Sequence, residues 1–414
     1  MQDSSAAHIV VDHLPARRRS LRVAVVTETY PPEVNGVALT LARVVQGLSD
    51  IDHDVQLIRP RQPSEGGVAD ATDESSLQQV LMRGIPIPRY PNLRMGMPAR
   101  RYLKTLWSHQ RPDVVHIATE GPLGWSALQA ASQLHLPISS DFRTNFHSYS
   151  KHYGVGWLQR PIMAYLRKFH NRTHCTMVPT EALRADLQRH GFHSLQVVSR
   201  GVDLSQFDPA HRSPALRESW GAGPQDPVLL CVGRLASEKN LDTLIEAYQR
   251  IRTQRAGTRL LLVGDGPLLG ALQQQCPDAV FAGQRSGLDL AAHYASADLF
   301  MFPSVTETFG NVTVEAMASG LPVLAFDYAA AAELIREGVE GRLVALGDNA
   351  AFVRAALALA TEPRAQWQGY GMAARQRALS LDWRQIVAQF ESVLCGVISH
   401  AQGGVVSPTR VRMA

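Results

Sequence analysis

Short apolar runs alternate along the chain with segments in which apolar residues recur every three or four positions. Leu21–Thr27, Val55–Ile58, Val114–Ile117, Pro137–Ser140 and Cys175–Val178 are runs of the first kind and predict strands. Between them Val37, Leu41, Val44, Val45 and Leu48 fall on one helical stripe, and Gly124–Leu134, Pro161–His174 and Glu181–His190 read as further helices. The second half repeats the pattern, with strands at Val228–Val232, Leu260–Val263, Val280–Ala282, Leu299–Phe302, Pro322–Phe326 and Arg342–Val344. Leu241, Leu244, Ile245, Tyr248 and Ile251 form the stripe of the first helix there. Strands that alternate with helices predict parallel, doubly wound α/β sheets.

The stretch Arg200–Asp226 is rich in Gly, Pro and Asp and separates the halves. The expected organisation is a flexible tail at 1–20, one domain at 21–198, a second at 199–380, a helix at 381–398 and a loose tail at 399–414. The helix follows from Trp383, Ile386, Val387, Phe390, Val393 and Leu394, whose apolar face needs a partner. The polar stretch Gln62–Ser76 reads as a mobile loop. No internal repeat is evident.

Composition narrows the function. With 414 residues, 45% hydrophobic and 19% charged, the chain is globular and long enough for two or three units. A net charge of +4 over this length excludes a dedicated nucleic-acid binder. No apolar run reaches the roughly 18–20 residues of a membrane span, and no apolar stretch resembling a signal peptide follows Arg17–Arg19. Cys175, Cys231, Cys276 and Cys395 lack metal or redox spacing, so a reduced, cytoplasmic protein is expected. Lysine occurs only at Lys104, Lys151, Lys168 and Lys239, which draws notice to one inside a motif.

Loops after parallel strands are where ligands bind. Gly233–Asn240 follows one strand, and its Arg234 and Lys239 suit a phosphate beside a helix start near Asn240; surface ion pairs with Glu238 explain them equally. Gly264–Asp265–Gly266–Pro267 with Gly270 invites comparison with a dinucleotide fingerprint, but the glycine interval is one residue too long and the acidic partner is missing. In Pro303–Gly320, Glu307 lies in the loop and Glu315 about one turn into the following helix, so both can face one cleft. Backbone N–H groups at Phe309, Gly310, Asn311 and Val312 suit a diphosphate, and the carboxylates suit sugar and ribose hydroxyls. Glu315 as a helix cap and Glu307 as a solvated charge are the plain alternatives. Asp52–His53–Asp54 precedes its strand and reads as a polar turn, not a metal site. His116 and Glu120 border the first domain's side of the cleft, unless His116 is a satisfied core histidine.

Taken together, Gly233–Asn240, the Gly264–Pro267 turn, Glu307 and Glu315, Tyr30–Val37 and Ser199–Asp203 resemble the retaining nucleotide-sugar glycosyltransferases of family four, which have the GT-B fold. The resemblance spans about residues 21–395 and implies two Rossmann-like domains facing a central cleft. It implies that Arg234 and Lys239 bind the diphosphate, Glu315 the ribose and Glu307 the transferred sugar. Gly36 would admit the first loop to the phosphates, while Gly264, Gln284, Arg285 and Phe309–Val312 would complete the sugar-donor site. Relatives often carry histidine where this chain has Arg143, and His147 does not simply replace it; Arg143, His147, His116 and Glu120 are the acceptor-side candidates.

The implied reaction is hexose transfer with retention, without metal or cofactor, to a lipid or saccharide acceptor. GDP-mannose is the first choice of sugar donor and a UDP-sugar the second. An NAD(P)-dependent oxidoreductase and a non-catalytic nucleotide-sugar binder are the readings of other classes. The basic residues of Trp157–His174 fit either peripheral contact with the inner membrane face or the outer side of a sheet-packing helix.

Overall fold

The computed structural model describes residues 20–33, 35–62, 77–87, 90–143, 159–401 and 403. Its first sheet contains Arg22–Val26 (β1), Asp54–Pro60 (β2), Leu77–Met82 (β3), Val114–Ile117 (β6), Ile138–Asp141 (β7), Cys175–Val178 (β8) and Leu195–Val197 (β9). A small antiparallel pair, Gly84–Ile87 (β4) and Tyr90–Gly96 (β5), stands beside it. The sheet order is β3-β2-β1-β6-β7-β8-β9 and every pairing is parallel. Val23, Ala24, Val25 and Val26 are consecutive and wholly buried, as in a sheet with helices on both faces.

The second sheet contains Val228–Val232 (β10), Arg259–Val263 (β11), Val280–Gly283 (β12), Leu299–Phe302 (β13), Val323–Phe326 (β14) and Gly341–Val344 (β15), in the order β12-β11-β10-β13-β14-β15. It too is parallel throughout. The strand order reverses between β1 and β6 in one sheet and between β10 and β13 in the other. Such switch points open a crevice at the carboxyl ends of the strands.

The last helix, Trp383–Ala401, belongs to the first domain's core. Ile386, Phe390, Leu394 and Ile398 pack in one cluster with Val23, Leu41, Val45 and Val55. A Cβ on Gly47 would lie 2.4 Å from Val387 Cγ2, so glycine sets how closely this helix approaches Gly36–Asp50. His53 Nε2 lies 3.1 Å from Glu391 Oε1 in the same interface, while Asp52 takes the left-handed conformation of a turn at φ 67°. The chain crosses between sheets twice, and the two crossings run side by side, with Val202 N–H donating to Leu381 O at 2.9 Å. Gln62, placed in a mobile loop from the sequence, is buried and donates to Glu33 at 2.5 Å; residues 63–76 lie outside the described set.

Candidate active site

The loops at the second switch point carry the motif residues. After β10, Gly233 turns at φ 147°, Leu235 and Ala236 are buried, and a single 3-10 turn, Ser237–Lys239, leads through left-handed Asn240 (φ 52°) into the helix Leu241–Gln254. Glu238, read from the sequence as a surface partner, has a fully buried side chain paired with the half-exposed Arg234. Burial opposes its charge, but its own backbone N–H and the Arg234 guanidinium hold the carboxyl below the usual range. Its backbone carbonyl accepts from Val305 N–H at 3.2 Å, which ties this loop to the one after β13.

Lys239 reaches across that junction. Its ammonium pairs with Glu307 Oε1 and lies 5.2 Å above the Phe302 ring. Ser304 Oγ donates to the same carboxylate oxygen at 2.8 Å. Gly310 then adopts φ 95°, a left-handed cap that starts the helix Asn311–Ala318. The first N–H groups of that helix have no carbonyl partner within it. Phe309 is buried and anchors the turn by accepting from Ala330 N–H at 2.7 Å.

One turn along, Tyr294 Oη donates to Glu315 Oε2 at 2.8 Å. Desolvation raises the Glu315 carboxyl to about 7 despite that bond, and raises the Tyr294 phenol well above its ordinary value. Tyr294 lies in a helical stretch that carries no motif, so only the fold reveals its role.

The Gly264–Gly266 turn has a packing explanation. A Cβ on Gly264 would lie 2.0 Å from Gly233 O, and one on Gly266 would lie 2.4 Å from Leu235 O. Leu235 N–H donates to Asp265 O at 2.9 Å and Leu268 N–H to Leu235 O at 3.0 Å. These glycines let the loop after β11 support the Arg234–Lys239 loop, which weakens the dinucleotide reading. Gln284 and Arg285 follow the edge strand β12, two strands away from β10; Arg285 donates to Ala282 O at 2.8 Å and to Asp289 at 3.2 Å.

The first domain closes on this site through the helix Gly36–Asp50, which Asn35 caps by accepting from Ala38 N–H at 2.8 Å. A Cβ on Gly36 would sit 3.7 Å from Asn311 Nδ2, and that same amide donates to Thr40 Oγ1 at 3.5 Å. His116 is wholly buried between Ser139 Oγ at 3.0 Å and Asp141 Oδ2 at 3.3 Å, the setting of a satisfied core histidine. Glu120 Oε1 lies 3.1 Å from His170 Nε2. Arg143 is buried on Asp141, and His147 lies outside the described residues. No cluster of metal-ligating side chains occurs among the described residues.

Residues 34–206 match the family model described as Glycosyltransferase Family 4, and residues 226–362 the model described as Glycosyl transferases group 1. A GDP-mannose-dependent alpha-mannosyltransferase of Mycolicibacterium smegmatis is 34% identical over 381 residues, covering 90% of this chain and 98% of the relative. Among solved structures, sucrose-phosphate synthase from Thermosynechococcus elongatus superposes with a TM-score of 0.73 at 18% identity, covering 92% of this chain and all of that one. Anabaena HepE, solved with UDP and glucose, gives 0.71 at 19% identity over 91% of this chain and all of its own.

Proposed function

The chain belongs to the glycosyltransferases of family four and has their GT-B fold, and from that premise we propose that it transfers mannose from GDP-mannose, with retention, to a lipid or saccharide acceptor. The observation that carries this reading is the convergence of Arg234, the Lys239–Glu307 pair and the Gly310-capped helix start at one switch point. The leaving diphosphate lies against Arg234, Lys239 and the free N–H groups of Gly310, Asn311 and Val312, which meet its growing charge without rearranging. Glu307 holds hydroxyls of the departing sugar and Glu315 those of the ribose. Gly36 leaves the first loop free to approach the phosphates. On leaving, the diphosphate takes the proton of the attacking acceptor hydroxyl on the same face of the sugar. The mannosyltransferase relative favours GDP-mannose; the Anabaena neighbour solved with UDP and glucose keeps UDP-glucose as the second reading.

No helix among the described residues is long and apolar enough to cross a membrane. A cationic, aromatic surface, with Lys168 and Arg172 over Trp125 and half-exposed Tyr165, supports peripheral contact with an anionic bilayer.

Nucleoside-diphosphate release from GDP-mannose, UDP-glucose and a nicotinamide control tests the reading. Turnover of GDP-mannose is expected; hydride-transfer absorbance changes with the nicotinamide, and none with either sugar nucleotide, would overturn it.

Glu315 adds a pH signature. As a carboxylate it accepts from ribose hydroxyls, and with its pKa raised to about 7 it protonates as pH falls below neutrality. The nucleotide sugar's diphosphate stays ionised there, so the Kd for GDP-mannose is expected to rise by up to about tenfold per pH unit below 7 and to level off above about pH 8. Calorimetric titration between about pH 5.5 and 8.5 checks this. In Glu315→Gln the slope should vanish; an unchanged slope would remove Glu315 from the ribose site.

A further inference from the structure

Two arginines and one aspartate share a buried pocket at the carboxyl end of the first sheet. Arg143 follows β7 and Arg200 follows β9, and each is only 7% exposed. Arg143 turns both Nε, at 2.5 Å, and Nη2 onto Asp141 Oδ2, the oxygen that His116 Nε2 also faces. Arg143 therefore neutralises Asp141, and Arg200 remains as a second cation whose Nη1 lies 3.4 Å from Thr40 Oγ1. Val44, Trp383, Ile386 and Phe390 supply apolar wall. Burial, and then repulsion from Arg143, lower the Arg200 guanidinium to about 9, with Asp141 opposing only in part.

A buried pocket with one cation too many is costly to keep unless something compensates it. Guanidinium groups in such a setting match the paired oxygens of a carboxylate or phosphate. The pocket also lies next to the reaction. Thr40 Oγ1, beside Arg200, accepts from Asn311 Nδ2, the side chain that starts the helix of the sugar-donor site.

We infer that Arg200, backed by Arg143, receives a carboxylate or phosphate group of the acceptor, so that the enzyme selects anionic acceptors. The inference rests on the glycosyl-transfer reading, which assigns the first domain's side of the cleft to the acceptor. Arg200 is a specificity residue in this scheme; Asp141 and His116 position Arg143.

Thermal unfolding of the full chain tests it, with glucuronate as the carboxylate probe, glycerol 1-phosphate as the phosphate probe, glucose as the neutral twin and sodium chloride at matched ionic strength. One or both anions should raise the midpoint by about 3 °C near saturation, and glucose and chloride should not. The larger shift identifies which oxyanion the pocket prefers. Arg200→Gln should abolish the shift and Arg200→Lys keep most of it. Lys239→Ala should leave it in place, because the anion is not at the diphosphate site. GDP-mannose stabilisation should show the reverse pattern, lost in Lys239→Ala and kept in Arg200→Gln. No anion shift in the wild type, a shift that survives Arg200→Gln, or one that disappears with Lys239→Ala would overturn the pocket. Loss of GDP-mannose stabilisation in the wild type would count instead against the glycosyl-transfer reading.

Discussion

Lys239→Ala is expected to lower kcat by about 10²- to 10³-fold, equivalent to roughly 3–4 kcal/mol of transition-state stabilisation, with the fold intact. The ammonium is the compact charge nearest Glu307 at the head of the cleft, and a neutral side chain cannot meet the charge that grows on a departing diphosphate. The structural cost is modest, about 1–2 kcal/mol, since Glu307 keeps Ser304 Oγ at 2.8 Å and its side chain remains 17% exposed to water. Steady-state kinetics beside a thermal melt separate the two effects. Arg234→Ala is a poorer test. Its guanidinium pairs with Glu238, whose side chain is 0% exposed, so the variant loses part of its stability together with its phosphate contact. Near-normal kcat in folded Lys239→Ala would remove the diphosphate from this loop.

Truncation before Trp383 is expected to unfold the first domain. Ile386, Val387, Phe390, Leu394, Val397 and Ile398 are all buried in the cluster that includes Leu41, Val45 and Leu48. At about 1.5–3 kcal/mol for each buried side chain, their loss amounts to about 10 kcal/mol or more, comparable with the whole stability of a domain. His53 would lose Glu391 as well, and Gly47 its close contact with Val387. Truncation after His400 removes none of these groups and should leave solubility and melting unchanged. Equal melting of the two truncated chains would show that the helix is dispensable.

Much of this was legible in the sequence, for identifiable reasons. Fully buried parallel strands such as Val228–Val232 read as unbroken apolar runs, and the loop after each is fixed by the winding of the sheet. The marginal elements of the first domain were not legible, unlike β12 and β15 at the edges of the second sheet. Leu77–Met82 exposes Gln78 and Gln79, and the Gly84–Gly96 pair is broken by prolines, so neither shows an apolar run. Motif spacing brought Lys239 and Glu307 to notice but could not show that they touch, because the contact depends on β10 and β13 being neighbours. Tyr294, His53 and Glu391 are found only through packing. Arg200 stood in a noted motif, yet its excess charge appears only when β7 and β9 place it beside Arg143 and Asp141.

The central claim, retaining transfer from a nucleotide sugar, is tested most directly by proton NMR of the sugar first released when enough enzyme is used to hydrolyse GDP-α-mannose, without an acceptor, faster than free mannose mutarotates. Water then takes the acceptor's place on the same face, and α-mannose should appear before mutarotation supplies the β anomer. Initial formation of β-mannose would contradict the account.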